Sequence, residues 1–152
     1  MVTEQGSGAG ALQGYRVLDL SEPWGAYCGK LLGDLGADVV KVEPPAGDAA
    51  RALGPFKDDR PHPEASLAFA YYHTNQRSVV LDLAGDEGRR HLARLVGAAD
   101  VLLETFSPER AAALGLDYAA LHARHPGLVV TSLSGFGATG PDAGQRATNR
   151  RA

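Results

Sequence analysis

Cysteine is almost absent from this 152-residue sequence, in which Cys28 is the single one. One thiol excludes an internal disulfide, and no Cys and His residues have zinc-ligand spacing, so we expect a reducing compartment and no metal site. Long apolar runs are also missing, since no stretch approaches the roughly 18 apolar residues that cross a bilayer. The first ten residues lack the apolar segment of a secretory signal. These absences predict a cytoplasmic protein that does not enter a membrane.

A large excess of either charge is missing as well. Lysine and arginine number 15 against 18 acidic residues, a formal net charge of -3. Nucleic-acid-binding proteins carry a basic excess that attracts phosphate, so we expect no nucleic-acid partner. Hydrophobic residues make up 44% of the chain, which at this length is enough for one domain with a buried core.

Short runs of aliphatic and β-branched residues alternate along the chain with segments of helical pattern. The alternation predicts an α/β fold with a doubly wound, mostly parallel sheet and right-handed crossovers. The predicted strands are Arg16–Leu20, Ala37–Glu43, Ser78–Leu83, Asp100–Glu104 and Leu128–Leu133.

The segments between these strands carry helix signals. Tyr27, Leu31, Leu32 and Leu35 form an apolar stripe that ends before Gly36, a typical residue just beyond a helix C-terminus. Further helices are predicted over Ala65–Tyr72, over Gly85–Gly97, from Pro108 to about Leu114 behind an N-capping Ser107, and from a capping Asp117 through His125.

Ligands of open α/β sheets bind beyond the carboxyl ends of the strands. The loops predicted to lie there are Ser21–Gly25, Glu43–Asp48, Glu104–Ser107 and Ser134–Pro141. The irregular segment Ala46–Pro63 is a candidate lid or substrate loop, because loops of this length are often functional. Function is therefore expected on these segments.

The glycine-rich loop after the fifth strand has two interpretations. Gly135, Gly137 and Gly140 have the spacing of a dinucleotide fingerprint. That fingerprint opens directly into a helix, whereas Pro141 follows here. The alternative is a turn in which glycine permits positive φ angles or a close backbone approach. NAD binding is the weaker of the two interpretations.

Several short motifs occur in one order along the chain. They are Arg16–Leu20, Gly25–Cys28, Leu31–Pro45, Asn75–Leu83, Ala99–Pro108 and Ser132–Pro141. In this order they resemble the class III CoA-transferase family, which includes formyl-CoA transferase, carnitine CoA-transferase and the α-methylacyl-CoA racemases. The resemblance predicts a family domain over residues 14–149, between a flexible segment at 1–13 and a tail at 150–152.

The resemblance implies a Rossmann-like amino-terminal portion that holds coenzyme A in enzymes that form interlocked homodimers. The implied substrates are an acyl-CoA and a carboxylic acid. In the transferases an aspartate attacks the thioester and CoA moves through the resulting aspartyl intermediate. That aspartate lies beyond the position of Asn149, so no residue of this chain is assigned as catalytic. We expect a chain truncated before the family's second domain, able to bind CoA but inactive alone.

The resemblance also implies a set of CoA-binding positions. They are Trp24, Gly25, Ala26, Arg77, Leu81, Thr105, Phe106 and Arg146. An arginine can grip phosphate in a fork, which suits Arg77 and Arg146, although both also fit solvated cations. For Leu81 and Phe106 the alternative is core packing, and for Trp24 it is a plug at the end of the sheet.

Three functions stay open at this point. The chain is the CoA-binding part of a class III CoA-transferase, a non-catalytic CoA- or nucleotide-binding module, or a fragment of an NAD-dependent oxidoreductase. Saturable CoA binding supports the first two, and NAD binding alone supports the third. A transferase assay separates the first from the second.

Overall fold

A computed structural model describes residues 10–137, 139–143 and 145. Its five strands form one sheet in the order β3-β2-β1-β4-β5, and all four pairings are parallel. The strands are β1 (Arg16–Leu20), β2 (Asp38–Glu43), β3 (Gln76–Val80), β4 (Val101–Glu104) and β5 (Val129–Ser132). The predicted α/β fold with a parallel, doubly wound sheet is confirmed, and the strand order reverses at β1.

Five α-helices lie between the strands of the described chain. They are α1 (Ala26–Asp34), α2 (Leu67–Tyr72), α3 (Asp86–Gly97), α4 (Pro108–Ala113) and α5 (Tyr118–Arg124). The predicted end signals are present: Ser107 and Asp117 accept backbone N–H groups at the starts of α4 and α5. Gly36, with a φ of 99°, lies just beyond α1. No helix of the described residues has the length and apolarity needed to cross a membrane.

The third strand begins and ends earlier than predicted. The sequence pattern indicates Ser78–Leu83, whereas β3 pairs with β2 from Gln76 to Val80. Its partner β2 ends at Glu43 because two prolines follow, and proline has no N–H to donate to a neighbouring strand. The last hydrogen bond between the two strands is therefore the one from Leu81 N–H to the Glu43 carbonyl oxygen, at 2.9 Å. The apolar residues that follow Val80 leave the sheet.

Helix α1 meets the sheet mainly through small residues, and most of its predicted apolar stripe does not face the sheet. Tyr27, Leu31 and Leu35 are about half exposed, whereas Gly29 is buried. A Cβ at Gly29 would stand 2.4 Å from Oδ2 of Asp19, so only glycine permits this distance between helix and strand. Tyr27 and Leu31 consequently face outward, whereas Leu32 packs against the sheet beside Val17.

The buried apolar residues form two clusters of unequal size on the two sides of the sheet. The larger one joins Leu18 and Leu102 of the central strands to Leu92 of α3 and Leu121 of α5. The smaller one, on the α1 side, centres on Val17. Successive side chains of a strand point to opposite faces, so neighbouring residues of β1 serve both clusters.

Candidate binding cleft

A cleft of about 960 Å³ lies at the carboxyl ends of the strands. Ser21–Pro23 line it after β1, Pro44–Ala49 after β2, Leu81–Ala84 after β3, and Phe106 with Arg110 after β4. This is where open α/β sheets bind ligands, next to the point where the strand order reverses. The volume falls in the range of small-molecule and cofactor sites.

The predicted substrate loop forms one wall of the cleft. Phe56 and Pro61–Pro63 from this loop line the cleft. The loop is fastened by Ser66, whose hydroxyl donates to the carbonyl oxygens of Ala50 and Leu53 at 2.8 and 2.6 Å. The segment is therefore an ordered wall, and its prolines and aromatic ring make that wall largely apolar.

An ion pair joins the floor of the cleft to this wall. Arg51 Nε and Nη2 donate to the two carboxylate oxygens of Glu43 at 2.6 and 2.8 Å, and Arg51 Nη1 donates to Glu64 at 2.8 Å. The Ser78 hydroxyl and the Asp48 N–H also donate to Glu43. The Arg51 guanidinium, helped by these two donors, lowers the pKa of Glu43 to about 2.

We expect the Glu43 pair to make stability depend on pH. The ordinary pKa is 4.5 and the folded value is lower, so the contribution is complete above pH 4.5 and is lost as pH falls toward 2. Replacement of Glu43 by glutamine should lower the free energy of unfolding at pH 7 and reduce its further loss between pH 4.5 and 2. Urea unfolding across this pH range measures both effects.

The matched control for this prediction is Glu64→Gln, since Glu64 contacts the same arginine from an exposed position. In this variant the free energy of unfolding should fall between pH 4.5 and 2 about as much as in the unmodified chain. If Glu43→Gln lost as much stability over this pH range as the unmodified chain, the assigned role of Glu43 would be contradicted.

A buried lysine lies beneath the loops that follow β1 and β2. Lys41 is 1% exposed, and its Nζ donates to the carbonyl oxygen of Ser21. The same Nζ lies 3.2 Å from Oδ2 of Asp48 and 3.7 Å from Oδ1 of Asp19. Since Ser21 and Asp48 both line the cleft, Lys41 ties two of its walls together.

Two of the sequence-predicted binding residues lie in the cleft. Leu81 and Phe106 line it, on opposite sides of the central strands. Both also pack against the larger apolar cluster, where Phe106 is buried. The two interpretations offered for these residues, ligand contact and core packing, are therefore compatible.

Four other predicted positions lie at the junction of the loops after β1 and β4. Thr105 Oγ1 accepts the Glu22 N–H at 2.8 Å, and a Cβ at Gly25 would stand 2.7 Å from Thr105 Cγ2. Ala26 is fully buried, and Trp24 is more than half exposed. None of Trp24, Gly25, Ala26 and Thr105 lines the cleft. Their part in CoA binding stays a prediction.

The two predicted arginines are not brought to the cleft. Arg77 donates to both carboxylate oxygens of Asp38, with distances of 2.7 and 2.6 Å from Nη2. Asp38 is the first residue of β2, so this exposed pair lies at the amino-terminal edge of the sheet, away from the cleft. A role of Arg77 in CoA binding stays a prediction. Arg146 lies outside the described residues.

Sequence reasoning missed the two arginines that do line the cleft, Arg51 and Arg110. Arg110 had a usable signal, because a helix capped by Ser107 places its first turn beside the ring of Phe106. The predicted loop after β5 contributes no residue to the cleft within its described positions, 134–137 and 139–141.

Neither thiol nor metal chemistry is indicated among the described residues. Burial, and to a smaller extent the charge of Asp19, raises the pKa of the Cys28 thiol, which opposes a nucleophilic role. Within residues 10–137, 139–143 and 145, no three His, Cys, Asp or Glu side chains are grouped so as to hold a metal ion.

The sheet order and the cleft at its carboxyl edge define an open α/β protein with a cleft where such folds bind ligands. The sequence profile of CoA-transferase family III matches residues 12–150. The chain therefore belongs to CoA-transferase family III, whose members act on CoA thioesters.

Individual relatives agree with this family assignment. The chain is 40% identical to succinyl-CoA:(R)-benzylsuccinate CoA-transferase subunit BbsE of Thauera aromatica, over 84% of this chain and 31% of that protein. It is 45% identical to succinate–glutarate CoA-transferase of Agrobacterium fabrum, over 86% of this chain and 34% of the relative. The chain thus spans about a third of the length of these curated relatives.

Solved structures show the same fold. A CAIB/BAIF family protein from Brucella suis superimposes with a TM-score of 0.78 and 37% identity, over 91% of this chain and 37% of that one. A hypothetical protein from Mycobacterium tuberculosis gives a TM-score of 0.80 at 34% identity, with the same coverage.

Proposed function

We propose that the cleft binds the CoA portion of an acyl-CoA. One observation carries this proposal: a cleft of about 960 Å³ at the carboxyl edge of the sheet combines apolar walls with arginine side chains. CoA presents an adenine, phosphates and a long pantetheine arm, which require an apolar slot and cations in one site. The ligand and the cleft therefore match in size and in chemistry.

The reaction we propose is that of the family, in which CoA moves from an acyl-CoA to a carboxylic acid. The Thauera aromatica relative carries succinyl-CoA in its name and the Agrobacterium fabrum relative carries succinate and glutarate. Succinyl-CoA is accordingly the CoA donor, and a dicarboxylic acid the CoA acceptor, that we propose to test first.

We propose a structural role, and not a nucleophilic one, for three carboxylates of the cleft. Glu43 is held by Arg51, and Asp48 lies beside Lys41. Asp82 Oδ1 accepts the N–H of Ala84 at 3.0 Å. A nucleophilic carboxylate must be free to reach the thioester carbon. We therefore expect no acyl transfer from these residues.

We also propose the homodimer and the cytoplasmic location that the family resemblance implies. The dimer is supported by large apolar side chains left exposed on two neighbouring helices, Tyr27 and Leu31 on α1 with Leu67 and Tyr71 on α2. Contiguous exposed apolar surface is typical of protein–protein contacts.

The test of the CoA-binding proposal is calorimetric titration of the 152-residue chain with CoA. We expect saturable binding that Ala84→Glu weakens at least about tenfold, because a bulky anionic side chain would enter the cleft from an exposed position. Ala123→Glu, at an exposed position on α5 outside the cleft, is the matched control and should bind like the unmodified chain.

A parallel titration with NAD separates the alternatives. NAD binding without CoA binding would favour the oxidoreductase interpretation. Absence of CoA binding, or equal CoA affinity in the Ala84→Glu variant, would contradict the assignment of the cleft.

A further inference from the structure

Arg110 is the arginine of the cleft whose charge is not compensated within the described residues. The other arginine, Arg51, uses all three guanidinium nitrogens on Glu43 and Glu64. No carboxylate oxygen among residues 10–137, 139–143 and 145 lies within 4.0 Å of the Arg110 guanidinium. Its positive charge is therefore available to a ligand.

Arg110 is positioned by an aromatic support. Its guanidinium carbon lies 4.4 Å from the centroid of the Phe106 ring, in a cation–π contact. Phe106 is itself buried, and its N–H donates to Oε2 of Glu104 at 2.5 Å. The contact holds the cation beside the ring without the use of a carboxylate, so its N–H donors can serve a ligand.

The charges around Arg110 define the kind of ligand it suits. Among the residues that line the cleft, Glu22 and Asp82 are acidic and have no arginine or lysine partner within the described chain. These carboxylates would repel a phosphate group. Without the charge of Arg110, the cleft would therefore oppose a ligand that carries several phosphates.

We propose that Arg110 binds a phosphate group of CoA in the cleft. This inference rests on the proposed function, which places CoA there. A guanidinium binds phosphate through two parallel N–H donors, and both the diphosphate and the 3′-phosphate of CoA offer the required oxygens. Arg110 is thus a specificity residue that distinguishes CoA from a phosphate-free pantetheine compound.

The experiment compares three ligands by calorimetry: CoA, 3′-dephospho-CoA and pantetheine. Each is titrated into the unmodified chain, Arg110→Ala, Arg110→Lys and the control Arg90→Ala. Arg90 is an exposed arginine on α3 outside the cleft, so its loss changes the net charge equally. Thermal unfolding of each variant shows that it is folded.

We expect Arg110→Ala to weaken CoA binding about 10- to 100-fold and to leave pantetheine binding unchanged. Arg110→Lys should recover only part of the affinity, because an ammonium lacks the fork. If the 3′-phosphate is the partner, the unmodified chain and Arg110→Ala bind dephospho-CoA equally. If the diphosphate is the partner, Arg110→Ala weakens the binding of dephospho-CoA by the same factor as the binding of CoA.

Two different results would be negative, and they are distinguishable. CoA binding of normal strength by Arg110→Ala, or an equal loss in Arg90→Ala, contradicts the role of Arg110 and leaves the CoA cleft intact. Absence of CoA binding by the unmodified chain contradicts the proposed function and, with it, this assignment.

Discussion

Replacement of Lys41 by methionine is expected to lower the free energy of unfolding by about 3–5 kcal/mol. Methionine fills a similar volume but leaves Asp19 and Asp48 buried without their cation. Asp19 Oδ2 has no hydrogen-bond partner in the described structure, so the charge of Lys41 is its main compensation. The Ser21 carbonyl oxygen loses its donor as well. Urea unfolding at neutral pH measures the loss.

The loss should come from uncompensated charge and not from packing, and a triple variant separates these causes. In Lys41→Met with Asp19→Asn and Asp48→Asn, both charges are removed while each Asn oxygen still accepts the N–H that the aspartate held. This variant should be more stable than Lys41→Met alone, and it keeps the test informative if the single variant does not fold.

The control for the charge prediction is Lys30→Met, which removes a lysine paired with Asp34 at 2.7 Å at the surface. Surface pairs contribute little, so its effect should be much smaller. A Lys41→Met variant as stable as Lys30→Met would contradict the role given to the buried cation.

Replacement of Gly88 by alanine should also destabilise the fold, against the usual preference of helices. Alanine within a helix is normally more favourable than glycine by about 1 kcal/mol. At Gly88, however, a Cβ would stand 1.9 Å from the carbonyl oxygen of Asp82 and 2.6 Å from its carbonyl carbon. Backbone atoms cannot turn aside as a side chain can, so overpacking should exceed the helix gain. We expect a net loss of about 1–3 kcal/mol.

The same substitution should weaken CoA binding. Asp82 belongs to the Leu81–Ala84 wall of the cleft, and helix α3 and this wall cannot both keep their places around an added methyl group. Calorimetry with CoA and urea unfolding are the two measurements. We expect both effects to appear together in Gly88→Ala.

Gly97→Ala provides the matched control within α3. The nearest atom to a Cβ there is Cε1 of His125, at 3.4 Å, which is an ordinary contact. This variant should be as stable as the unmodified chain or slightly more so. If Gly88→Ala were as stable as Gly97→Ala, the Leu81–Ala84 wall could move away from the added methyl group without loss of stability. That result would contradict the prediction.

Local signals were sufficient to predict most of the secondary structure. The caps at Ser107 and Asp117 and the glycine after α1 act within one or two turns, so they can be recognised in a single sequence. The inward face of α1 could not be predicted in this way. It depends on the distance between Gly29 and the Asp19 carboxylate, which exists only after the helix packs on β1.

Some of the predicted binding residues lie in the cleft and others do not, and strand direction explains the difference. Leu81 and Phe106 follow strands, so a parallel sheet brings them to the carboxyl edge. Arg77 stands near the start of β3, and the same strand direction carries it to the opposite edge, where it binds Asp38. A basic residue alone therefore did not predict a place in the cleft, because its position along the strand decides the edge.

Arg51 and Arg110 show why the charge of the cleft could not be predicted from the sequence. Whether an arginine is available to a ligand depends on its partners, and those partners lie on other elements of the fold. Arg51 meets Glu43 at the end of β2 and Glu64 further along the chain, whereas Arg110 meets an aromatic ring instead of a carboxylate.

The central position of β1 has a consequence for the order in which the chain folds. Arg16, at the start of β1, bonds to Asp100 beside β4, which lies 84 positions later in the chain. During synthesis, β2 emerges soon after β1, but β4 emerges only after Asp100, 84 positions beyond Arg16. Contacts so distant in sequence slow folding. Until β4 pairs with β1, one edge of the apolar strand β1 is unpaired, although β1 is central in the finished sheet. This edge can meanwhile pair with other nascent chains.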